Sequence, residues 1–80
     1  MKQIIVDVRQ PEKFKEEHIP NAINIPYNYI IEQLDKLDKN SEILLYCQDG
    51  KKSQSVETVL KIEGYNARNL GAYPLVKQGY

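Results

Sequence analysis

A single cysteine, Cys47, stands where a short apolar run gives way to a small polar loop. The run covers residues 43–46, the loop covers residues 48–53, and a helical pattern follows the loop. A strand that ends at the start of a helix leaves backbone N–H groups pointing into the turn, where they stabilise a thiolate or a bound anion. We therefore expect Cys47 to be a reactive nucleophile rather than an inert buried thiol.

The loop after the cysteine supplies the groups that are expected to contact a thiolate or a bound anion. Its residues are Gln48, Asp49, Gly50, Lys51, Lys52 and Ser53. Gly50 allows the backbone to curl tightly around the cysteine. The two lysines favour a thiolate, whereas the carboxylate of Asp49 disfavours it. For Lys51, a functional role and a merely solvated position at the helix start are equally open.

Strands and helices alternate along the chain and must position this loop. Apolar, β-rich runs predict strands over residues 4–8, 23–25, 43–46 and 65–70. Helices are predicted over residues 11–17 and 30–37. A third helix is predicted to follow the loop and to end at Gly64, and a final helical turn is predicted over residues 74–77. The second helix is predicted to bury one apolar face, made of Ile30, Ile31, Leu34 and Leu37. This alternation predicts an α/β fold with a mainly parallel sheet and helices on both faces, and ligands bind at the carboxyl ends of such strands, where Cys47 lies.

Composition narrows the classes of function. The 80 residues predict one domain, over 1–80, and 11 basic residues balance 11 acidic ones, so nucleic acid is a poor partner prediction. One cysteine cannot form an internal disulfide, and the single histidine, His18, lacks the spacing of a zinc site. No run approaches a membrane span and no signal peptide is apparent, which predicts a cytoplasmic protein, with a mature periplasmic form as the alternative.

Three separated motifs resemble the rhodanese-like domain family. They are V-D-V-R at residues 6–9, H-I-P-N-A-I-N-I-P at residues 18–26 and Y-C-Q-D-G-K-K-S at residues 46–53. The family shows D-V-R, G-H-I-P-G-A-x-N-I-P and Y-C-x4-R-S, followed by a G-Y turn and a closing L-x-G-G segment, whose places residues 64–65 and 70–72 occupy here. Glu17, Asn21 and Ala72 stand where this pattern has glycine. The resemblance implies a small four-stranded sheet that lacks the family's usual first edge strand and has its last strand at an edge.

The resemblance also implies an activity, that of a single-domain thiosulfate sulfurtransferase. Cys47 would carry sulfur as a persulfide, loaded from thiosulfate or a protein persulfide and delivered to a thiol acceptor, with no metal or organic cofactor. Asp7 and Arg9, at the end of the first strand, are predicted to tie loops together near the site. By resemblance, His18 caps and orders its turn. A monomer and a weak dimer are both compatible with the chain.

Departures from the family pattern leave alternatives open. Lys52 occupies the family's arginine position, and an ammonium lacks the planar fork of a guanidinium. Related phosphatases and arsenate reductases need a loop of the form C-x5-R, and Ser53 stands at that arginine position, which disfavours oxyanion chemistry. A catalytically weak or silent binding module or persulfide carrier is the other alternative. The missing arginine favours this alternative, whereas the retained Cys47 disfavours it.

Overall fold

The computed structural model describes residues 2–80, so Met1 of the predicted domain lies outside it. The strands are β1 (Gln3–Asp7), β2 (Ile23–Asn24), β3 (Glu42–Cys47) and β4 (Asn66–Ala72), and the α-helices are α1 (Pro11–Glu16), α2 (Lys51–Ile62) and α3 (Tyr73–Val76). Two 3-10 helices, Tyr27–Tyr29 and Ile31–Lys36, lie between β2 and β3. No helix formed by residues 2–80 has the length and apolar character that crossing a membrane requires.

The four strands form one sheet in the order β2-β1-β3-β4, and every neighbouring pair is parallel. The predicted parallel α/β fold is therefore confirmed, and β4 lies at an edge, as predicted. Its observed span ends two residues later than the predicted strand over 65–70. Because all four strands run the same way, the carboxyl ends of β1 and β3 lie side by side, and they place Asp7 and Cys47 at the same end of the sheet.

Helices cover both faces of the sheet, and each face has its own apolar core. Residues of β3 alternate between the faces: Ile43, Leu45 and Cys47 pack with Val56 and Leu60 of α2. The opposite core, beside α1 and α3, contains Ile19, Ala22, Tyr46, Tyr73 and Val76. Successive side chains of a strand point to opposite faces, which places the cysteine on the α2 side and its neighbouring tyrosine on the other.

The predicted amphipathic helix over residues 30–37 is wrong in its helix type and in one residue of the face that it buries. The segment consists of 3-10 turns, and Gln33 has non-helical backbone angles between them. Ile30 and Leu37 are buried, but Ile31 is 56% exposed. The non-helical backbone angles of Gln33 interrupt the repeat of about 100° per residue on which the predicted apolar face depends. The segment therefore leaves Ile31 on the surface.

Candidate functional site

Cys47 is the last residue of β3, and its side chain is buried, with 2% exposure. Its Sγ atom accepts hydrogen bonds from the backbone N–H groups of Gly50 at 3.1 Å and Ser53 at 3.3 Å. The Ser53 hydroxyl lies 3.3 Å from the same sulfur. Hydrogen bonds to the charged form of a group favour that form, so this arrangement stabilises negative charge on the sulfur.

The loop can approach the sheet closely because its turn residue has no side chain. Gly50 has φ 84°, in the left-handed region, and a Cβ atom there would lie 3.3 Å from the backbone carbon of Gly71 in β4. Any larger residue would be strained by its φ and crowded by β4. Gly50 therefore holds the start of α2 against the neighbouring strand and keeps the N–H groups aimed at Cys47.

Asp49 is the charged neighbour of the sulfur. Its Oδ1 atom accepts a hydrogen bond from the Lys51 N–H at 3.0 Å and lies 3.6 Å from Cys47 Sγ, within reach of the thiol hydrogen. The Lys51 N–H lowers the pKa of the Asp49 carboxyl, so this side chain is ionised at neutral pH. Among the loop residues 48–53, Gly50 and Ser53 thus donate their N–H groups to the sulfur, whereas Lys51 donates its N–H group to a carboxylate.

A side chain from β4, Asn69, joins the network beneath the cysteine. The Ser53 hydroxyl lies 2.7 Å from Asn69 Oδ1, its shortest contact, and a hydroxyl has only one hydrogen to donate. Asn69 Nδ2 donates to the Gly50 carbonyl at 3.1 Å, and its Oδ1 also accepts the Gly71 N–H at 3.0 Å. Asn69 therefore contacts both residues whose N–H groups reach the sulfur.

Sequence reasoning missed Asn69. The pairing of β3 with β4 shifts by one residue, so Leu45 faces Asn69 and Tyr46 faces Gly71. Such bulges re-aim side chains next to functional sites. Glu57 of α2 accepts the Asn69 N–H at 2.8 Å and fixes this position, which lowers the pKa of the Glu57 carboxyl. No local sequence signal marks a bulge of this kind.

An open cavity of about 240 Å³ leads to Cys47. Its lining residues are Val8, Arg9, Gln10, Lys13, Tyr27, Cys47, Gln48, Asp49 and Lys52. The Lys52 ammonium lies 4.5 Å from the centre of the Tyr27 ring, over its face. The structure thus brings Cys47, Gln48, Asp49 and Lys52 to one cavity, and Lys51 is not among the residues that line it. Lys13 and Tyr27 are lining residues that sequence reasoning missed, because both come from elements remote in sequence from the loop.

The Asp7 and Arg9 side chains form a buried ion pair at the wall of the cavity, which Arg9 lines. The Arg9 Nε and Nη2 atoms contact both carboxylate oxygens of Asp7 at 2.8–3.1 Å. The same guanidinium donates to the Glu17 carbonyl at 2.7 Å and to Gln48 Oε1 at 3.3 Å. Burial opposes its charge, but the bonds to Asp7 prevail and raise the pKa of Arg9. Arg9 therefore connects the loop after α1 to the cysteine loop.

His18 has a local environment of its own. Its Nδ1 atom lies 2.8 Å from the Phe14 carbonyl oxygen, and its ring stacks on the Phe14 ring with a centroid distance of 3.8 Å. Because a carbonyl only accepts hydrogen bonds, Nδ1 must carry the hydrogen. The contact occupies a free carbonyl at the end of α1, and His18 does not line the cavity that leads to Cys47.

Known proteins match this chain over most of its length. A model of the rhodanese-like domain family matches residues 1–75. Thiosulfate sulfurtransferase PspE of Escherichia coli K12 is 36% identical over 80 residues, which cover 90% of this chain and 77% of that protein. Thiosulfate sulfurtransferase GlpE of Coxiella burnetii is 39% identical over 62 residues, which cover 78% of this chain and 58% of that protein.

A solved structure described as a rhodanese with anions from E. coli has a TM-score of 0.84 and 33% identity, over 90% of this chain and 88% of that one. The shared fold, the matched family model and the named relatives agree with one another, and they support a sulfurtransferase role in general. The chain belongs to the rhodanese-like domain family.

Proposed function

We propose that this domain is a sulfurtransferase that carries a sulfane sulfur on Cys47 as a persulfide. The observation that carries the proposal is the environment of Sγ, which two backbone N–H groups and one hydroxyl surround at 3.1–3.3 Å. The two N–H groups support a thiolate and, after transfer, the added sulfur atom. The open cavity gives a small sulfur donor a path to this atom.

The transfer takes two steps, and thiosulfate illustrates them. The Cys47 thiolate attacks the outer sulfur of thiosulfate, a new S–S bond forms, and the S–S bond of thiosulfate breaks. Sulfite leaves with the electron pair of that bond, and Cys47 holds a persulfide. A thiophilic acceptor, such as a thiolate or cyanide, then attacks the outer sulfur of the persulfide and restores the Cys47 thiolate. Neither step needs a metal or an organic cofactor.

Lys52 has the position and charge to attract an anionic donor. Its ammonium lines the cavity and lies over the Tyr27 ring, and it belongs to none of the ion pairs that residues 2–80 form. A point charge attracts an anion but orients it less than the bidentate fork of arginine does. Lys52 would therefore act mainly on binding of the donor and less on the sulfur transfer itself.

The rival chemistry of phosphate or arsenate needs an arginine where this chain has Ser53. Ser53 is fully buried, and its hydroxyl contacts Cys47 Sγ, the Gly50 carbonyl and Asn69. A side chain so placed closes the cradle around one sulfur atom and offers no cation to a tetrahedral oxyanion. This observation favours sulfur transfer over oxyanion chemistry.

Intact-mass measurement tests the proposal. Incubation with thiosulfate is expected to add one sulfur, about 32 Da, and cyanide is expected to remove it. The Cys47→Ser variant should keep the fold, because the substitution preserves size, but it should neither gain the mass nor transfer sulfur, because serine is not a thiophilic nucleophile. Undiminished transfer by that variant, or no gain of mass in the native protein with any sulfane donor, would contradict the proposal.

A further inference from the structure

The cavity at Cys47 presents one cation and one anion that are outside any ion pair. Arg9, in its wall, is paired with Asp7 at 2.8 Å, and Lys13 lies 3.9 Å from Glu16. Lys52 and Asp49 also line the cavity, and neither belongs to an ion pair found among residues 2–80. Asp49 therefore offsets part of the positive charge at the cavity, and it does so beside the reacting sulfur, where a second negative charge on a donor is repelled.

The Asp49 carboxylate lies close enough to the reacting sulfur atom to repel a negatively charged donor. Its Oδ1 atom lies 3.6 Å from Cys47 Sγ, and the Lys51 N–H holds it there. A donor that delivers its outer sulfur to Sγ must bring its own negative charge near this carboxylate. The repulsion grows in proportion to the donor's charge, so a dianion experiences about twice the repulsion of a monoanion.

An apolar groove of about 280 Å³ adjoins the cavity. Its lining residues are Tyr27, Ile30, Ile31, Lys52, Ser55, Val56 and Val59, and two of them, Tyr27 and Lys52, also line the cavity. The exposure of Ile31, which arises from the 3-10 turns, makes one wall of this groove apolar. Thiosulfate has no apolar part to place there, whereas an organic sulfur donor does.

We infer that the cavity and the groove form one site that selects organic, singly charged sulfane-sulfur donors over dianionic thiosulfate. Asp49 sets the charge preference, and the groove beside Ile31 takes the organic group. The inference rests on the proposed function, because it concerns what loads Cys47. The donor class comprises R–S–S⁻ and R–SO2–S⁻ compounds. With the latter, Cys47 thiolate bonds to the outer sulfur, the donor's S–S bond breaks, and the sulfinate R–SO2⁻ leaves with the electron pair.

Three donors separate charge from apolar contact: thiosulfate, methanethiosulfonate and benzenethiosulfonate. All three offer a terminal sulfane sulfur, but the first is a dianion, the second is a small monoanion and the third is a monoanion with an aromatic group. Their intrinsic reactivities differ, so the measured quantity is the ratio of kcat/KM between two donors, compared between variants. Intrinsic reactivity then cancels.

Asp49→Asn tests the charge preference. Its side-chain oxygen still accepts the Lys51 N–H, but the negative charge is gone. The ratio of kcat/KM for thiosulfate to that for methanethiosulfonate should rise about threefold at low salt, and less at high salt, as expected for an exposed charge. The matched control is Asp35→Asn, the same chemical change at an exposed residue that lines neither the cavity nor the groove.

Ile31→Ser tests the groove, and the exposure of Ile31 spares the core. The ratio of kcat/KM for benzenethiosulfonate to that for methanethiosulfonate should fall about fivefold, because apolar contact area is lost. Ile62→Ser is the matched control, since Ile62 is 77% exposed and lies outside the groove.

Each outcome is decisive for this inference. Asp49→Asn overturns the charge preference if the thiosulfate ratio stays constant or falls, and Ile31→Ser overturns the groove if the aromatic ratio does not fall. In both of these cases Cys47 still gains one sulfur by mass, so the proposed function stands. If none of the three donors adds sulfur to Cys47, the proposed function itself fails.

Discussion

Two sets of opposite charges lie at the same edge of the sheet, and their surroundings give them different roles. Asp7 and Arg9 are 0% and 7% exposed and contact each other through several hydrogen bonds. Asp49 and Lys52 lie on the cavity surface, exposed to solvent. The buried charges are already satisfied by the protein and hold loops in place, whereas the exposed charges remain available to a ligand.

Each set also has aromatic neighbours, and these sharpen the contrast. The Arg9 guanidinium lies 4.2 Å from the centre of the Tyr73 ring and 5.6 Å from that of Tyr46, within the buried core. The Lys52 ammonium lies over the exposed ring of Tyr27 at the cavity. A planar guanidinium that stacks and bonds at once is held rigidly, whereas a single ammonium on an exposed ring keeps its freedom to approach an anion. Substitutions in the two sets should therefore affect different measurable properties.

The largest effect is expected from Arg9→Ala. It leaves the Asp7 carboxylate buried without its partner, which should lower the free energy of unfolding by about 3–5 kcal/mol in urea denaturation. The double variant Asp7→Asn with Arg9→Ala should recover part of this loss, because no uncompensated charge remains. Arg68→Ala, on the exposed edge strand, is the control and should change stability by less than about 0.5 kcal/mol. A loss below about 1 kcal/mol for Arg9→Ala would show that the pair is not holding the loops.

A smaller effect on stability, but a clear one on activity, is expected from Asn69→Ala. It removes the partner of the Ser53 hydroxyl and of the Gly50 carbonyl, at a cost of about 1–2 kcal/mol in unfolding free energy. Because the N–H groups at Cys47 are then less well oriented, kcat for sulfur transfer should fall about tenfold with little change in KM. Asn66→Ala, at the other end of β4, provides the comparison. Equal kcat values for the two variants would count against a positioning role for Asn69.

Lys52 should change activity with almost no change in stability. Lys52→Ala should raise KM for thiosulfate about fivefold and Lys52→Arg should lower it, because the charge at this position attracts the donor and a guanidinium also orients it. Both differences should shrink at high ionic strength, because exposed charges are screened. Steady-state kinetics at low and high salt would measure this, with Lys51→Ala as the control outside the cavity. The same KM for all Lys52 variants would make Lys52 a solvated helix-start residue.

The smallest effect concerns Glu17, whose carboxylate accepts the Tyr73 hydroxyl at 2.6 Å and contacts Lys77 at 3.3 Å. The bond from Tyr73, and then that from Lys77, lowers the pKa of Glu17 below its ordinary value of 4.5. Its contribution to stability is thus complete above pH 4.5 and is lost as the pH falls through the lower pKa of the folded protein. Glu17→Gln should flatten the pH dependence of the midpoint of thermal unfolding in this range. An identical slope in both proteins would mean that the contact contributes nothing.

Sequence reasoning predicted the strand and helix order because local patterns dictate it. The apolar run before Cys47 has the length and bounds of a buried strand, and the polar loop with Gly50 is typical of a turn before a helix. The position of Cys47 at the carboxyl edge of a parallel sheet followed from this order. The same reasoning was wrong for Ile31, because apolar spacing cannot distinguish α-helical turns from 3-10 turns in a short segment that a residue such as Gln33 interrupts.

What the sequence by itself determined is the type of fold, the position of the cysteine at a strand end and the residues of its loop, since these are contiguous or periodic along the chain. Only the tertiary structure decided which distant residues meet the loop. Asn69 reaches Ser53 because a one-residue bulge re-aims β4. Arg9 reaches Gln48 because β1 and β3 are parallel neighbours. The Tyr27 ring lies under the Lys52 ammonium because 3-10 turns carry it to the cavity. Such contacts depend on strand register and on small rotations of the backbone, and no sequence spacing records either of them.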